Sequence, residues 1–472
     1  MTRLPRLLLF VLAIPVMLLA TTPTASAQTF HAIHAFNGTD GANPYTSLVQ
    51  GRDGYLYGTT IDGGVNGAGN VFRMTPGGKV TSLYDFCSQP NCVDGQYPVT
   101  DLIQGANGNF YGTTQSGGTY TYGTVFEITP SGALTVLHSF NGNDDGANPY
   151  GSLMLASNGD FYGSNAVGGA YGAGTIFTIT PSGAVTTLYN FCTKAQCSDG
   201  QFPAGHLLQG SDGNLYGVTH AGGSYTNCDV DGCGTVFKMT LSGKLTTLHT
   251  FEAIDGEYPY GGLIQNANGF FYGTTSAGGA ANDGTIFTVD ASGNFNLLYS
   301  FNGPDGISPY SMMQGSDGNF YGVTLYGGTK FVRGSIFECT PDGTLTNLHT
   351  FDGRHGKNPY GLMQDTDGTF YGTAYFGGAP NDGIVFSLSN GLAPFIQTQP
   401  ASGNVGMSVT ILGTNLKGAT AVSFNGTPAQ FTVASNSEIL TNVPAGARSG
   451  MVTVTTASGG TLESNVAFRV TK

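Results

Sequence analysis

One unit recurs seven times along this 472-residue chain, and any fold must accommodate it. A Tyr-Gly pair stands at Tyr57, Tyr111, Tyr162, Tyr216, Tyr272, Tyr321 and Tyr371. A Gly-Gly pair begins six residues after each tyrosine, from Gly63 to Gly377. A Val-Phe or Ile-Phe pair follows, ending at Phe72, Phe126, Phe177, Phe237, Phe287, Phe337 and Phe386. The intervals between tyrosines are 54, 51, 54, 56, 49 and 50 residues. Periods of this length belong to four-stranded blades rather than to helix-pair repeats.

Within the third copy the pattern resolves into four short strands. Pro149–Ala156 (strand a) leads through an Asn-Gly turn to Asp160–Asn165 (b). A Gly-rich connection then leads to Gly174–Thr180 (c), and Pro-Ser-Gly leads to Ala184–Phe191 (d). In strand c, Phe177 and Ile179 fall on one side and Ile176, Thr178 and Thr180 on the other, which is strand periodicity. Four antiparallel strands per unit make one propeller blade. The last copy ends after its strand c, Gly383–Ser389, while a spare d-like strand, Thr29–Phe36, precedes the first copy. Such a strand closes the ring by completing the seventh blade and removes an open sheet edge. The expected fold is all-β: a seven-bladed β-propeller over 28–389, closed by an N-terminal strand.

Composition supports this. Glycine numbers 75, yet no G-X-Y run occurs, and 30 Phe with 24 Tyr are too many for a disordered chain. Tight turns using positive φ account for the glycine. The formal charge of −13, with only 16 basic residues, argues against nucleic acid or an anionic membrane as partner. Residues 1–27 read as a signal peptide: basic Met1–Arg6, apolar Leu7–Ala20 and a cleavage site at Ala25-Ser26-Ala27. Export is therefore expected, to the periplasm, the medium or the cell surface, with no transmembrane segment after cleavage and a monomeric state.

The pattern F-Y-G-T-T-x-x-G-G-x-x-x-x-G-T-V-F-x-[IM]-T-P-x-G-x-[LV]-T-x-L-[HY]-x-F resembles the GloVer tandem repeat of bacterial exported proteins across about Phe30–Leu388. That resemblance implies no settled activity. The Gly-Gly spacing is loosely similar to kelch blades, but their tryptophan is absent. After a linker at 390–395, residues 396–472 resemble an IPT/TIG immunoglobulin-like domain through Gln399–Gly406, Val409–Asn415, Val422–Ala429, Ile439–Gly446 and Met451–Thr455. Alternating strands and turn spacing independently suggest a small β-sandwich there. The resemblance implies a spacer or a second binding module.

Antiparallel order places the d→a and b→c loops on one face of the ring and the short, uniform a→b and c→d turns on the other. All length variation lies in the first set. Three insertions there each hold a C-x4-C pair: Cys87/Cys92, Cys192/Cys197 and Cys228/Cys233. Disulfides suit an exported chain better than zinc, whose knuckles use C-x2-C. Cys339 is left over at a strand-c position, as a buried thiol.

The fourth copy breaks the symmetry. It carries His206, His220, Tyr225 and the run Asn227-x-Asp229-x-Asp231-Gly232, which matches half an EF-hand loop. Lys238 stands where that loop needs Glu, so a disulfide-pinned polar turn is the better reading and calcium the weaker one. No other cofactor is indicated. His34, His138, His249 and His349 share a strand-d position with Tyr84, Tyr189 and Tyr299, which marks it as structural. Asp-Gly turns at Asp40, Asp94, Asp145, Asp199, Asp255 and Asp305 form a ring on the variable face beside Tyr45, Tyr150, Tyr260, Tyr310 and Tyr360. These tyrosines, with His206, His220, Tyr225, Asp229 and Asp231, are the ligand-face candidates. No G-x-S-x-G or metal set suggests catalysis, and no catalytic residue is assigned. The expected function is recognition of an extracellular polysaccharide or protein through this face. The alternatives are a glycan hydrolase or lyase, and a purely structural surface component.

Overall fold

The computed structural model describes residues 28–471 apart from 226, 227, 229 and 329–332. The expected leader at 1–27 lies outside the described residues. Seven sheets follow one another, each with strand order a-b-c-d. In the third blade the strands are Ala147–Leu155, Phe161–Val167, Thr175–Ile179 and Val185–Asn190. The N-terminal strand, Thr29–Ala35, pairs antiparallel with Ile384–Ser389, so the seventh sheet takes its outer strand from the start of the chain. The ring is closed and all-β, as the repeat arithmetic requires.

The repeated aromatics are the glue between blades. At all seven junctions the phenylalanine ending strand d meets the strand-c phenylalanine of the next blade edge-on, from Phe36–Phe72 at 5.3 Å to Phe351–Phe386 at 5.3 Å. At five junctions the Tyr-Gly tyrosine packs on the strand-b aromatic of the following blade, as in Tyr57–Phe110 at 4.0 Å and Tyr216–Phe271 at 3.9 Å, while Tyr162 and Tyr371 cluster with Leu215 and Leu56 instead. Because a blade is covered on both faces, Ile176 and Phe177 are both fully buried, in separate clusters on its two sides. Period-2 alternation therefore separates one interblade core from the next, not core from solvent.

Strand a departs from the sequence expectation. It is continuous in blades three, six and seven but shrinks to Val49–Gln50, Ile103–Gln104 and Leu208–Gln209 in blades one, two and four. In blade five it is split into Glu257–Pro259 and Ile264–Gln265. Spacing accompanies the shortening, although blade three carries the same additional residue and absorbs it as a second register shift within a continuous strand. The strand-a proline is followed six residues later by the last strand residue in blades one to five, but five residues later in blades six and seven. The additional residue is Ser47, Asp101, Ser152, His206 or Gly262. It breaks the ladder and is set into the central channel as a bulge.

Six of the seven strand-d histidines and tyrosines, all but His349, have a common task. Each reaches the carboxylate of the next Asp-Gly turn: His34–Asp40 (3.1 Å), Tyr84–Asp94 (2.8 Å), His138–Asp145 (2.9 Å), Tyr189–Asp199 (2.7 Å), His249–Asp255 (3.0 Å) and Tyr299–Asp305 (2.5 Å). The other carboxylate oxygen accepts a backbone N–H at the start of the same loop, for example from Asn141 at 2.9 Å. Imidazole and phenol both satisfy this geometry, which is why they interchange.

The three C-x4-C pairs are disulfides: Cys87–Cys92, Cys192–Cys197 and Cys228–Cys233. The first two insertions each fold into a single 3-10 turn, Pro90–Cys92 in one and Ala195–Cys197 in the other. Cys92 and Cys197 end these turns, both in the left-handed region at φ +50 and +46. A six-residue loop drawn together at its ends has to double back, and the tight turn with its left-handed residues does this. The carbonyls of these two cysteines then do further work. Cys92 O accepts the N–H groups of Gly95 and Gly118, both at 2.9 Å, and Cys197 O accepts those of Gly200 at 2.8 Å and Gly223 at 2.9 Å. Each turn therefore ties its d→a loop to the Gly-Gly pair of the same blade. Cys339 is a buried thiol that burial pushes up to about 12.

Beyond the ring, two sheets form a sandwich. One has the order 397–399, 408–412, 438–442, 431–433, and the other 427–428, 421–424, 452–455, 461–463. Their core holds Ile411, Phe424, Ile439, Val452, Val454 and Phe468. This domain rests on the uniform face. Ser437 Oγ donates to Arg52 O at 2.7 Å, Thr366 and Thr414 hydroxyls meet at 2.9 Å, and the Arg469 guanidinium bonds Ser211 O. The contacted turns belong to blades one, seven and four, so the domain straddles the channel mouth.

Next to this junction Asp365 is buried on the a→b turn of blade seven, where burial and then the Asp367 charge push its carboxyl up to about 7. The native state thus holds a proton there between roughly pH 4 and pH 7 that the unfolded chain releases, and stability falls as pH rises through that window. Asp365→Asn is expected to raise stability by up to about 4 kcal/mol at pH 8 and by almost nothing at pH 4. Paired thermal melts at the two pH values measure this, and an equal change at both would refute the assignment.

Candidate functional site

The first side chain after each strand-a proline points toward the ring axis, because strand a is innermost and alternation turns that residue inward. In five blades this residue is tyrosine, and the five rings converge at the loop-face end of the channel. Tyr45 is the hub: its hydroxyl meets that of Tyr150 at 2.9 Å and accepts from Tyr310 at 3.0 Å, and its ring lies 4.2 Å from Tyr360. Tyr260 packs on Tyr310 at 5.0 Å. Tyr375, which the sequence did not single out, joins Tyr45 and Tyr360 at 6.1 and 5.6 Å. Burial holds the phenols of Tyr45, Tyr260, Tyr310 and Tyr360 well above their ordinary pKa, so the plug is neutral. The ligand-face tyrosines thus face one another as much as they face outward.

Two blades supply no tyrosine to the plug. Val99 stands in for it in blade two and Ala204 in blade four. The small Ala204 leaves a pocket of about 270 Å³ on the loop face, lined by Tyr150, Tyr260, Phe202 and His220 among others. His220 stacks on Tyr258 (4.9 Å, 28°) and meets Tyr260 edge-on at 5.0 Å. Burial pushes its imidazole down to about 4 against the pull of Asp231, and its buried Nδ1 has no hydrogen-bond partner among the described residues. Asp231 is exposed, and Tyr225 is exposed but does not line the pocket. Asn227 and Asp229 lie outside the described residues. Lys238 bonds Asp212 at 2.7 Å. Among the described residues, the Cys228 and Cys233 sulfurs and the Glu257 carboxylate are close enough to share an ion, but the two sulfurs are joined in a disulfide. The other two disulfides, Cys87–Cys92 and Cys192–Cys197, line neither this pocket nor the channel behind it, so their part is to shape loops.

Behind the plug the channel widens into a cavity of about 470 Å³. Its wall carries the bulge residues in a hydrogen-bonded run from blade to blade. Leu362 N–H donates to Ser47 Oγ (3.1 Å), Ser47 N–H to Asp101 Oδ1 (2.7 Å), and Asp101 N–H to Ser152 Oγ (2.9 Å). His206 continues the layer without a hydrogen-bond partner among the described residues, its ring lying where a Cβ on Gly262 would sit. Burial pushes the Asp101 carboxyl up to about 6 and the His206 imidazole below its usual value. Met312, Met313 and Leu362 form the apolar side, and Val466 of the C-terminal sandwich reaches the cavity from the uniform face. Sequence reasoning named His206 but missed Asp101, Ser47 and Ser152.

Among solved structures, the extracellular domain of a hybrid two-component system from B. thetaiotaomicron is similar in fold at 13% identity and a TM-score of 0.51, over 95% of this chain and 60% of that one. The corresponding domain of a one-component system from B. thetaiotaomicron aligns at 12% identity and a TM-score of 0.50, over 92% of this chain and 57% of that one. The chain therefore spans less than two thirds of these structures. A fungal alcohol oxidase of the AA5 family, in complex with copper, matches at 14% identity and a TM-score of 0.50 over 92% of this chain and 98% of its own. At such identities the likeness is one of fold. No curated protein matches the sequence. Among the described residues, no helix is long and apolar enough to cross a membrane. The Gloeobacter/Verrucomicrobia repeat, the GloVer repeat of the sequence pattern, matches residues 20–230 and 226–430, and the IPT/TIG domain matches 396–470. With both matches in hand, the chain belongs to the Gloeobacter/Verrucomicrobia repeat family and ends in an IPT/TIG domain.

Proposed function

We propose that this chain is an exported binding propeller that recognises an extracellular polysaccharide or protein through its d→a and b→c loop face. The observation that carries this reading is the break in symmetry at blade four, where an aromatic-walled pocket opens on the one broad face that the IPT/TIG domain leaves uncovered. Aromatic walls with few converging polar groups are the usual make-up of a recognition site. Disulfides and the extracellular solved neighbours are in keeping with export. Binding is preferred to turnover because, among the described residues, the carboxylate that acts on His220, that of Asp231, is exposed rather than held by a second group in the manner of a catalytic pair.

A glycan array combined with reducing-sugar release on the same polymers tests this. Binding without release is expected, weakened about tenfold by Tyr260→Ala or His220→Ala, equivalent to about 1.4 kcal/mol. Sugar release that His206→Ala or Asp231→Ala abolishes would replace the reading with a glycan-active enzyme.

A further inference from the structure

We infer that the channel cavity behind the tyrosine plug is a binding site for a small neutral sugar, reached from the loop face through the gap at Ala204. This goes beyond recognition on the outer loops, since a polymer can lie across that face without entering the channel.

The gap is the first support. The loop-face pocket and the channel cavity share Tyr150, Ala204 and Tyr260 as lining residues, so the two spaces meet where blade four lacks its tyrosine. At the opposite mouth the cavity is bounded by Val466 of the IPT/TIG domain. The size is the second: about 470 Å³ falls within the range of small-molecule pockets, about 300–1,000 Å³.

The third is the chemistry of the wall, which is divided. One side offers the Ser47 and Ser152 hydroxyls, the Asp101 carboxyl and the unpartnered His206 imidazole. The other offers Met312, Met313 and Leu362, under a roof of tyrosine rings. A pyranose has the same division, with a rim of hydroxyls that both donate and accept and a C–H face that packs on apolar or aromatic surface. Anions lack a partner, because no Lys or Arg lines the cavity among the described residues. Cations find a single carboxyl already engaged by the Ser47 amide.

His206 offers open hydrogen-bonding capacity at the cavity wall: it is half-buried, and among the described residues neither its donor nor its acceptor has a protein partner. The bulge residues supply the rest: each is the additional strand-a residue that blades six and seven lack, and Ser47, Asp101, Ser152 and His206 project side chains into the channel at the expense of ladder pairing.

Isothermal titration of the mature full chain with D-glucose, D-galactose, D-mannose, cellobiose and maltose tests the site, with D-glucuronate and choline as charged comparators. Saturable binding of at least one neutral sugar is expected, weakened tenfold or more by His206→Ala and by Ser152→Ala. Ala204→Tyr installs the residue found at five other blades, so the fold tolerates it, and it is expected to abolish binding with an unchanged melting temperature. The proposal is overturned if none of the five sugars binds. It is also overturned if binding survives both His206→Ala and Ala204→Tyr, or if glucuronate or choline binds more tightly than every neutral sugar. Loss of polymer recognition in His220→Ala leaves these outcomes unaffected, so the two readings fail separately.

Discussion

Removing residues 28–36 is expected to lower the melting temperature by at least about 10 °C or to leave the protein aggregated, a loss of more than about 5 kcal/mol. The deletion takes away the partner of Ile384–Ser389 and exposes that strand as a bare hydrophobic edge. It also removes Phe36, fully buried against Phe72, and Phe30, which stacks on His349 at 3.7 Å and meets Phe351 and Phe386. A single Phe36→Ala change should already cost about 3–5 kcal/mol, the usual range for emptying a core aromatic site. Calorimetry of the truncated chain decides the matter. A melting temperature equal to that of the intact protein would mean that the ring does not depend on its N-terminal clasp.

The second large effect is expected from Gly123→Ala. Gly123 adopts φ +102, and a Cβ there would overlap the carbonyl oxygen of Thr114 and approach Pro149 Cδ to 2.6 Å. Thr114 belongs to the same blade and Pro149 to strand a of the next, so neither yields by a simple rotamer change. Adding left-handed strain of about 1–2 kcal/mol to this overlap gives a cost of about 3–5 kcal/mol. Gly159 is the control: its φ of +88 is similar, but a Cβ there meets open space. Gly159→Ala should therefore cost only the strain, about 1 kcal/mol. Urea unfolding of the two variants gives the comparison, and similar midpoints would show that close approach is not what reserves these positions for glycine.

Much of the ring was legible because the repeat positions are the contact positions. The two phenylalanines recur since they meet each other across every blade junction, and the Tyr-Gly tyrosine since it packs on the next blade's strand b, so periodicity in sequence is periodicity of packing. The closing strand could be read for the same reason: Phe36 falls where a strand-d phenylalanine belongs. The cysteine pairs were legible from their spacing, but the 3-10 turns ending at Cys92 and Cys197 were not, since three residues carry no periodicity to read. The channel was less legible still. Ser47, Asp101, Ser152, His206 and Gly262 occupy equivalent places but share no chemistry, and they look like noise within a regular frame. Their signal was a one-residue difference in the interval from proline to the end of strand a. The inward turn of the plug tyrosines follows from strand a being innermost, a consequence of ring closure rather than of local pattern. The seat of the IPT/TIG domain had no local signature at all. It depends on three turns from blades one, four and seven, distant in sequence, that present backbone carbonyls and a hydroxyl to a separate domain.

Six junctions in the ring are latched by a strand-d hydroxyl or imidazole holding the carboxylate ahead of it. At the junction between blades six and seven His355 stands in the aspartate's place and turns to Asp352 at 2.8 Å, leaving His349 Nε2 buried without a partner among the described residues. That junction lies beside the borrowed strand, so the ring has a built-in seam. Pulled apart or warmed, it should part there first, and amide exchange in Leu345–Thr350 should outpace that in the matching strands of the latched blades.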